Sequence, residues 1–123
     1  MQLVKALVSA HEELASWRQH LHQNPEIAYE EKDTSNFVAA KLESFGVEVH
    51  RGFGGTGLVG VIKGNLGDLE SGKAIGLRAD MDALPMSEET NLAYASQRPG
   101  RMHACGHDGH TTMLLAAARH LSV

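Results

Sequence analysis

Leu3, Leu7, Leu14, Trp17 and Leu21 recur at roughly helical spacing, with Val4 and His11 beside the stripe. The pattern predicts a helix from about residue 3 to residue 22 with one apolar face. Such a face has to be covered, so the remaining chain must supply a packing layer. The residues QNPE stop the helix, because Pro25 restricts the backbone of Asn24. A second helix over residues 31 to 44 turns Phe37, Val38, Leu42 and Phe45 inward, and Gly46 suits its C-terminal cap.

Beyond Gly46 the pattern changes. VEVH and GLVGVIKG read as short strands, with GFGGTG turning between them. A G-x-G-x-x-G pattern can be drawn through Gly52, Gly54 and Gly57. The residues after it read as a strand rather than a helix, which favours a turn over a dinucleotide site. GNLGDLESGK reads as a polar, hairpin-like connection. AIGLRADMDALP reads as a buried strand giving way to an exposed turn, which places Arg78, Asp80 and Asp82 at a strand end. Residues 86 to 104 read as irregular. The run TTMLLAAARHL predicts a final helix with Met113, Leu114, Ala117 and Leu121 on its packed face. Two helices, several strands and a last helix define an α/β fold with a mixed sheet, and no repeat or linker interrupts it.

Composition narrows the class. At 123 residues the chain is long enough for one small domain. Its 42% hydrophobic content is that of an ordinary folded protein, and a net charge of −4 gives no sign of the basic patch of a nucleic-acid binder. The sole cysteine, Cys105, has no partner for an internal disulfide. No apolar run approaches membrane-spanning length. Glu12 and Glu13 interrupt any signal core, so the N-terminus reads as part of the mature protein, with the cytoplasm as the default location.

Chemistry concentrates in two places. In ADMDALP, Asp80 and Asp82 share a direction if the backbone is extended. They can bind a cation or orient a histidine ligand, or they are a solvated strand end with Arg78 pairing to one of them. Glu88 and Glu89 are adjacent, but adjacency alone does not build a general base and a metal ligand. The second place is MHACGHDGHTTM, residues 102 to 113. Cys105 and His107 flank Gly106, so a thiolate and an imidazole can converge on a divalent transition ion. Asp108 suits a cap of the last helix, whose N-terminal end would favour a Cys105 thiolate. His103 and His110 are open between ligand, substrate contact and turn support. The chemical rival is a cysteine hydrolase in which a histidine activates Cys105, although the i, i+2 relation does not establish that geometry. Among the other histidines, His22 suits a dipole interaction at a helix end, and His11, His50 and His120 read as packing or surface residues.

RQHLHQNPEIAYEE at 18 to 31, TG at 56 to 57, LRADMDALP at 77 to 85 and GRMHACGHDGHTTMLLAAA at 100 to 118 together resemble the hippurate hydrolase-like branch of the metal-dependent amidohydrolases, peptidase family M20. The likeness runs in family order across essentially the whole chain, and the last block is its most specific part. It implies a zinc-peptidase-like catalytic domain, a mixed sheet flanked by helices, of which residues 1–123 are the N-terminal part. It implies hydrolysis of N-acyl amino acids, of hippurate, N-acetyl amino acid or N-acetyl-diaminopimelate type, with two divalent ions (zinc, manganese, nickel or cobalt) and a glutamate base. It places Cys105 and His107 among the metal ligands and Asp82 in an orienting role. Asp80 stands where related metallopeptidases carry a ligating histidine, so direct ligation is not carried over to it. The glutamate pair, later histidines and a smaller dimerisation domain are expected downstream of Val123, and the resemblance admits a homodimer for the full-length form. The 123 residues alone are therefore expected to be inactive or weakly metal-binding. The competing reading from another class is a non-catalytic folding or interaction module.

Overall fold

The computed structural model describes residues 4–64 and 72–123. The N-terminal stripe forms two helices, α1 (Lys5–Ser9) and α2 (His11–Gln23), rather than one. Ser9 Oγ donates to the Lys5 carbonyl at 3.0 Å, a back-bond that bends helices, and the chain breaks at Ala10. α1 buries no residue, whereas α2 buries Trp17, Leu21 and His22.

The second helix, α3 (Lys32–Ser44), has its N-terminus closed from a distance. The Glu26 carboxylate accepts the Asp33 and Thr34 amides at 3.1 and 2.6 Å and the Thr34 hydroxyl at 2.7 Å. These amides have no partner within the helix, and a carboxylate there also complements the helix dipole. At the other end Gly46 takes φ +76. Its amide donates to the Glu43 carbonyl and the Val47 amide to the Leu42 carbonyl, the paired bonds of a Schellman motif. Val47 and Leu42 join the same buried cluster, so the cap also aims the chain into the next element.

That element is an antiparallel hairpin of β1 (Glu48–Phe53) and β2 (Gly57–Val61), bulged between Arg51 and Phe53. The three-residue connection requires Gly57, because a Cβ there would sit 2.5 Å from the Phe53 carbonyl oxygen. The glycines of GFGGTG thus serve the turn. The connection predicted over residues 64 to 73 lies largely outside the described residues.

The buried strand expected in AIGLRADMDALP is not formed. Residues 74–82 have no regular secondary structure, and Ile75 and Leu77 are 90% and 61% exposed. A strand exists only through a neighbour's hydrogen bonds, and the β1–β2 hairpin does not pair with this segment. Pairing begins just after it, in a parallel bridge of Ile27 with Ala83 and an antiparallel bridge of Leu84 with Met102. The α/β class stands, with a two-stranded sheet flanked by helices.

Residues 86 to 104 are irregular, as read, and lead into α4 (His107–Leu121). Its packed face differs from the expected one. Thr111, Thr112, Leu115 and Ala118 are buried, while Met113 and Leu121 are 63% and 58% exposed. The threonines enter because their hydroxyls are satisfied internally, Thr111 by the Asp80 carbonyl and Thr112 by that of Asp108. The core joins Trp17, Val38, Leu42, Val47, Leu115 and Ala118. Trp17 stacks on Phe45 at 5.9 Å, with the Lys41 ammonium 4.5 Å from its ring. Among the described residues no helix is long and apolar enough to cross a membrane.

Candidate metal-binding loop

The loop before α4 brings together residues that lie apart in sequence. Gly106 takes φ +97, a left-handed conformation that side chains resist, and bends the chain between Cys105 and His107. Cys105 is exposed and His107 half-buried. His107 Nδ1 lies 2.9 Å from the Asp82 carbonyl oxygen and 3.0 Å from Asp82 Oδ1. Both are acceptors, so Nδ1–H is the donor and Nε2 keeps its lone pair. Among the described residues Cys105 has no hydrogen bond to an imidazole, the contact by which a base would activate its thiol.

Asp108 is not the helix cap. Gly106 occupies that position, and Asp108 falls within the first turn, where Oδ1 accepts the Gly109 amide at 2.9 Å. Its other oxygen, Oδ2, lies 2.8 Å from Arg18 Nε and 2.7 Å from His22 Nδ1. His22 Nε2 in turn meets Glu88 Oε1 at 3.0 Å. Glu88 also accepts from the Thr90 hydroxyl and, through Oε2, from the Ser96 amide at 2.7 Å. Burial by itself would raise the Glu88 carboxyl. The hydrogen bonds from Thr90, His22 and Ser96, with the His22 charge, outweigh that and lower it to about 2. His22 does stand in the last turn of α2, as the dipole reading requires, and it is also buried between two carboxylates.

The remaining candidates do different work. Asp80 is exposed and pairs with Arg78 Nε at 2.8 Å, so the two aspartates of ADMDALP have separate partners. Glu89 and His110 are exposed, the latter with its ring 5.8 Å from that of His107. His103 is 5% exposed, and among the described residues neither ring nitrogen has a hydrogen-bond partner. Burial lowers its pKa, against the pull of Asp108 and Asp82 and with the push of His22 and His107. A groove of about 850 Å³ lies alongside, lined by Leu42, Val47, Leu77, Asp82 and Leu115, but neither Cys105 nor His107 faces it. Glu26 and the His22 partnership escaped sequence reasoning. The only signal was the density of charged and polar residues in RQHLHQNPE.

A thiol and an imidazole with Nδ1 already engaged are donors that divalent transition ions accept. Among the described residues, no group of three or more histidine, cysteine or acidic side chains could hold an ion. The residues present fit part of a metal shell.

Comparison with known proteins points to one family. Residues 76–123 match peptidase family M20/M25/M40. Along nearly its whole length the chain is similar to the N-terminal part of M20-family proteins. It is 50% identical over 123 residues to the hippurate hydrolase of Campylobacter jejuni, covering 99% of this chain and 31% of that enzyme. It is 44% identical over 107 residues to the N-acyl-L-amino acid amidohydrolase of Geobacillus stearothermophilus, covering 87% of this chain and 28% of that one. In three dimensions it superposes on the Bacillus subtilis YXEP protein, a dinuclear metal binding peptidase of the M20 family. The TM-score is 0.85 at 38% identity, over 93% of this chain and 31% of that one. The chain thus spans under a third of the length of these relatives.

Proposed function

We propose that this chain carries part of the active site of an amidohydrolase that cleaves N-acyl amino acids, with Cys105 and His107 as metal ligands. The observation that carries the reading is the double engagement of His107 Nδ1 by Asp82, beside an exposed Cys105. Asp82 holds the proton on Nδ1, fixing the tautomer and turning Nε2 into the ligating nitrogen. Gly106 lets sulfur and imidazole approach one point. The bound ions supply Lewis-acid polarisation of the amide carbonyl and activation of water. Two ions are favoured because the YXEP protein is a dinuclear metal binding peptidase.

Glu88 is not the general base. Both of its oxygens are engaged by His22, Thr90 and Ser96. Residues 1–123 are therefore read as one part of the catalytic domain, and the base and remaining ligands as contributions of further polypeptide. The names of the relatives support an N-acyl amino acid such as hippurate as the substrate, a small molecule with an amide next to a carboxylate.

The test is hydrolysis of N-acyl amino acids, with metal content measured alongside. It compares the 123-residue chain with a polypeptide of the relatives' length that contains it. Hydrolysis by the longer protein, lost on chelation and on Cys105→Ser, is expected. A folded, metal-loaded longer protein with no such activity would refute the reading.

A further inference from the structure

The ligand loop is held by α4, and α4 is held at its first turn by a side chain whose spacing gives no hint of the role. His22 lies 86 positions before Asp108, buried, with its Nδ1 2.7 Å from Asp108 Oδ2. Asp108 directly follows the ligand candidate His107. Its carboxylate is 1% exposed and bonded on both oxygens, Oδ1 to the Gly109 amide and Oδ2 to His22 and Arg18. Arg18 and His22 are one helical turn apart on α2 and so present a single paired grip. On its far side the same imidazole meets Glu88, in the irregular segment before the loop. Three elements thus meet on one ring: α2, the segment around Glu88 and the first turn of α4.

We propose that His22 is a positioning residue for the Cys105–His107 loop. It acts through Asp108 and fixes where α4 begins and therefore where the two ligand candidates stand. The inference deepens the metal-site reading above and rests on it for the ligand assignment, though not for the mechanical link. Asp82 grips His107 from one side. His22 grips the residue next to it from another. A rotation of the first turn of α4 would break both sets of bonds. A metal site built on that turn needs its donors placed within fractions of an ångström.

The geometry separates this role from simple filling of space. An asparagine side chain places its amide nitrogen where the imidazole has Nδ1, and a glutamine places it where the imidazole has Nε2. His22→Asn therefore keeps the donor to Asp108, and His22→Gln keeps only the donor to Glu88. A polypeptide of the relatives' length that contains this chain, and its variants His22→Asn, His22→Gln and His22→Ala, are titrated with cobalt(II) and followed by thiolate-to-cobalt absorption. Cys105→Ser serves as the ligand control. Amide exchange of Gly109 and His110 is measured without metal, with the amides of α3 as the reference for global stability.

The expected result is cobalt affinity close to native in His22→Asn and a loss of about 10–100-fold in His22→Gln and His22→Ala, the range for residues that orient metal ligands. Protection at Gly109 and His110 is retained in His22→Asn and lost in the other two, with α3 unchanged. Equal exchange behaviour of the asparagine and glutamine variants, or parallel losses in α3 and α4, would overturn the proposal. Cobalt binding indifferent to Cys105→Ser would instead sink the ligand assignment, while the exchange contrast would still decide the role of His22.

Discussion

Asp82 acts on His107 through two atoms, its carboxylate and its own carbonyl, so its substitution removes only part of the support. Asp82→Ala is expected to lower metal affinity by about 10-fold, at the mild end for an orienting carboxylate, because the carbonyl remains. Metal titration followed by the thiolate absorption of Cys105 checks it. Glu88 carries a pH signature of its own. Its carboxyl is lowered from 4.5 to about 2 in the folded chain. A depressed carboxyl contributes stability that is fully present above 4.5 and is lost as the pH falls towards 2. Glu88→Gln should therefore flatten the acid limb of the stability curve over that window, as read by urea denaturation at stepped pH. An unchanged acid limb would show that Glu88 is not held by His22, Thr90 and Ser96. At this scale the sequence was readable where donors are close together, as in Cys105, Gly106 and His107. It gave no sign of the contact between His22 and Asp108, because a pair spanning 86 positions leaves no trace in local spacing.

Helix ends show which local signals carry physical content. Gly46 was legible because a left-handed C-terminal position nearly demands glycine, and it closes α3 at φ +76. Gly46→Ala is expected to cost about 1–2 kcal/mol in urea denaturation, the penalty for a Cβ in that conformation. Glu26 was not legible, because a helix cap supplied from outside the helix follows no fixed offset. Its removal in Glu26→Ala would leave the Asp33 and Thr34 amides unpaired and Arg98, 3.3 Å away, without that partner. The same measurement should show a loss of about 1–3 kcal/mol. The strand predicted in AIGLRADMDALP failed for a different reason. Its apolar start marks residues able to lie in a sheet, but pairing is a property of the neighbour, and among the described residues no strand pairs with Ile75 and Leu77. The face of α4 was misjudged because apolar counting favours Met113 over Thr111 and Thr112, whose hydroxyls are internally bonded.

On the scale of the molecule, helices α2, α3 and α4 and the hairpin enclose one small core, and the loop of Cys105 and His107 leads into α4. Beside the core runs the apolar groove bordered by Leu77, and Ile75 stands almost fully exposed. The backbone amides of residues 75–79, lacking ladder bonds, should exchange far faster than those of α3 and α4. Protection of that segment equal to that of α3 would contradict the absence of a strand. The family was readable from ordered motifs, and the α/β class from periodicity. Completion of the metal shell was not, since the described residues contain no third donor around Cys105 and His107. The decisive measurement is hippurate hydrolysis by a metal-loaded polypeptide of the relatives' length containing this chain, with and without chelator and with Cys105→Ser or His107→Ala. Turnover abolished by the chelator and by both substitutions is the predicted result. A folded, metal-loaded protein that hydrolyses no N-acyl amino acid, or turnover that ignores the chelator yet needs Cys105, would contradict it.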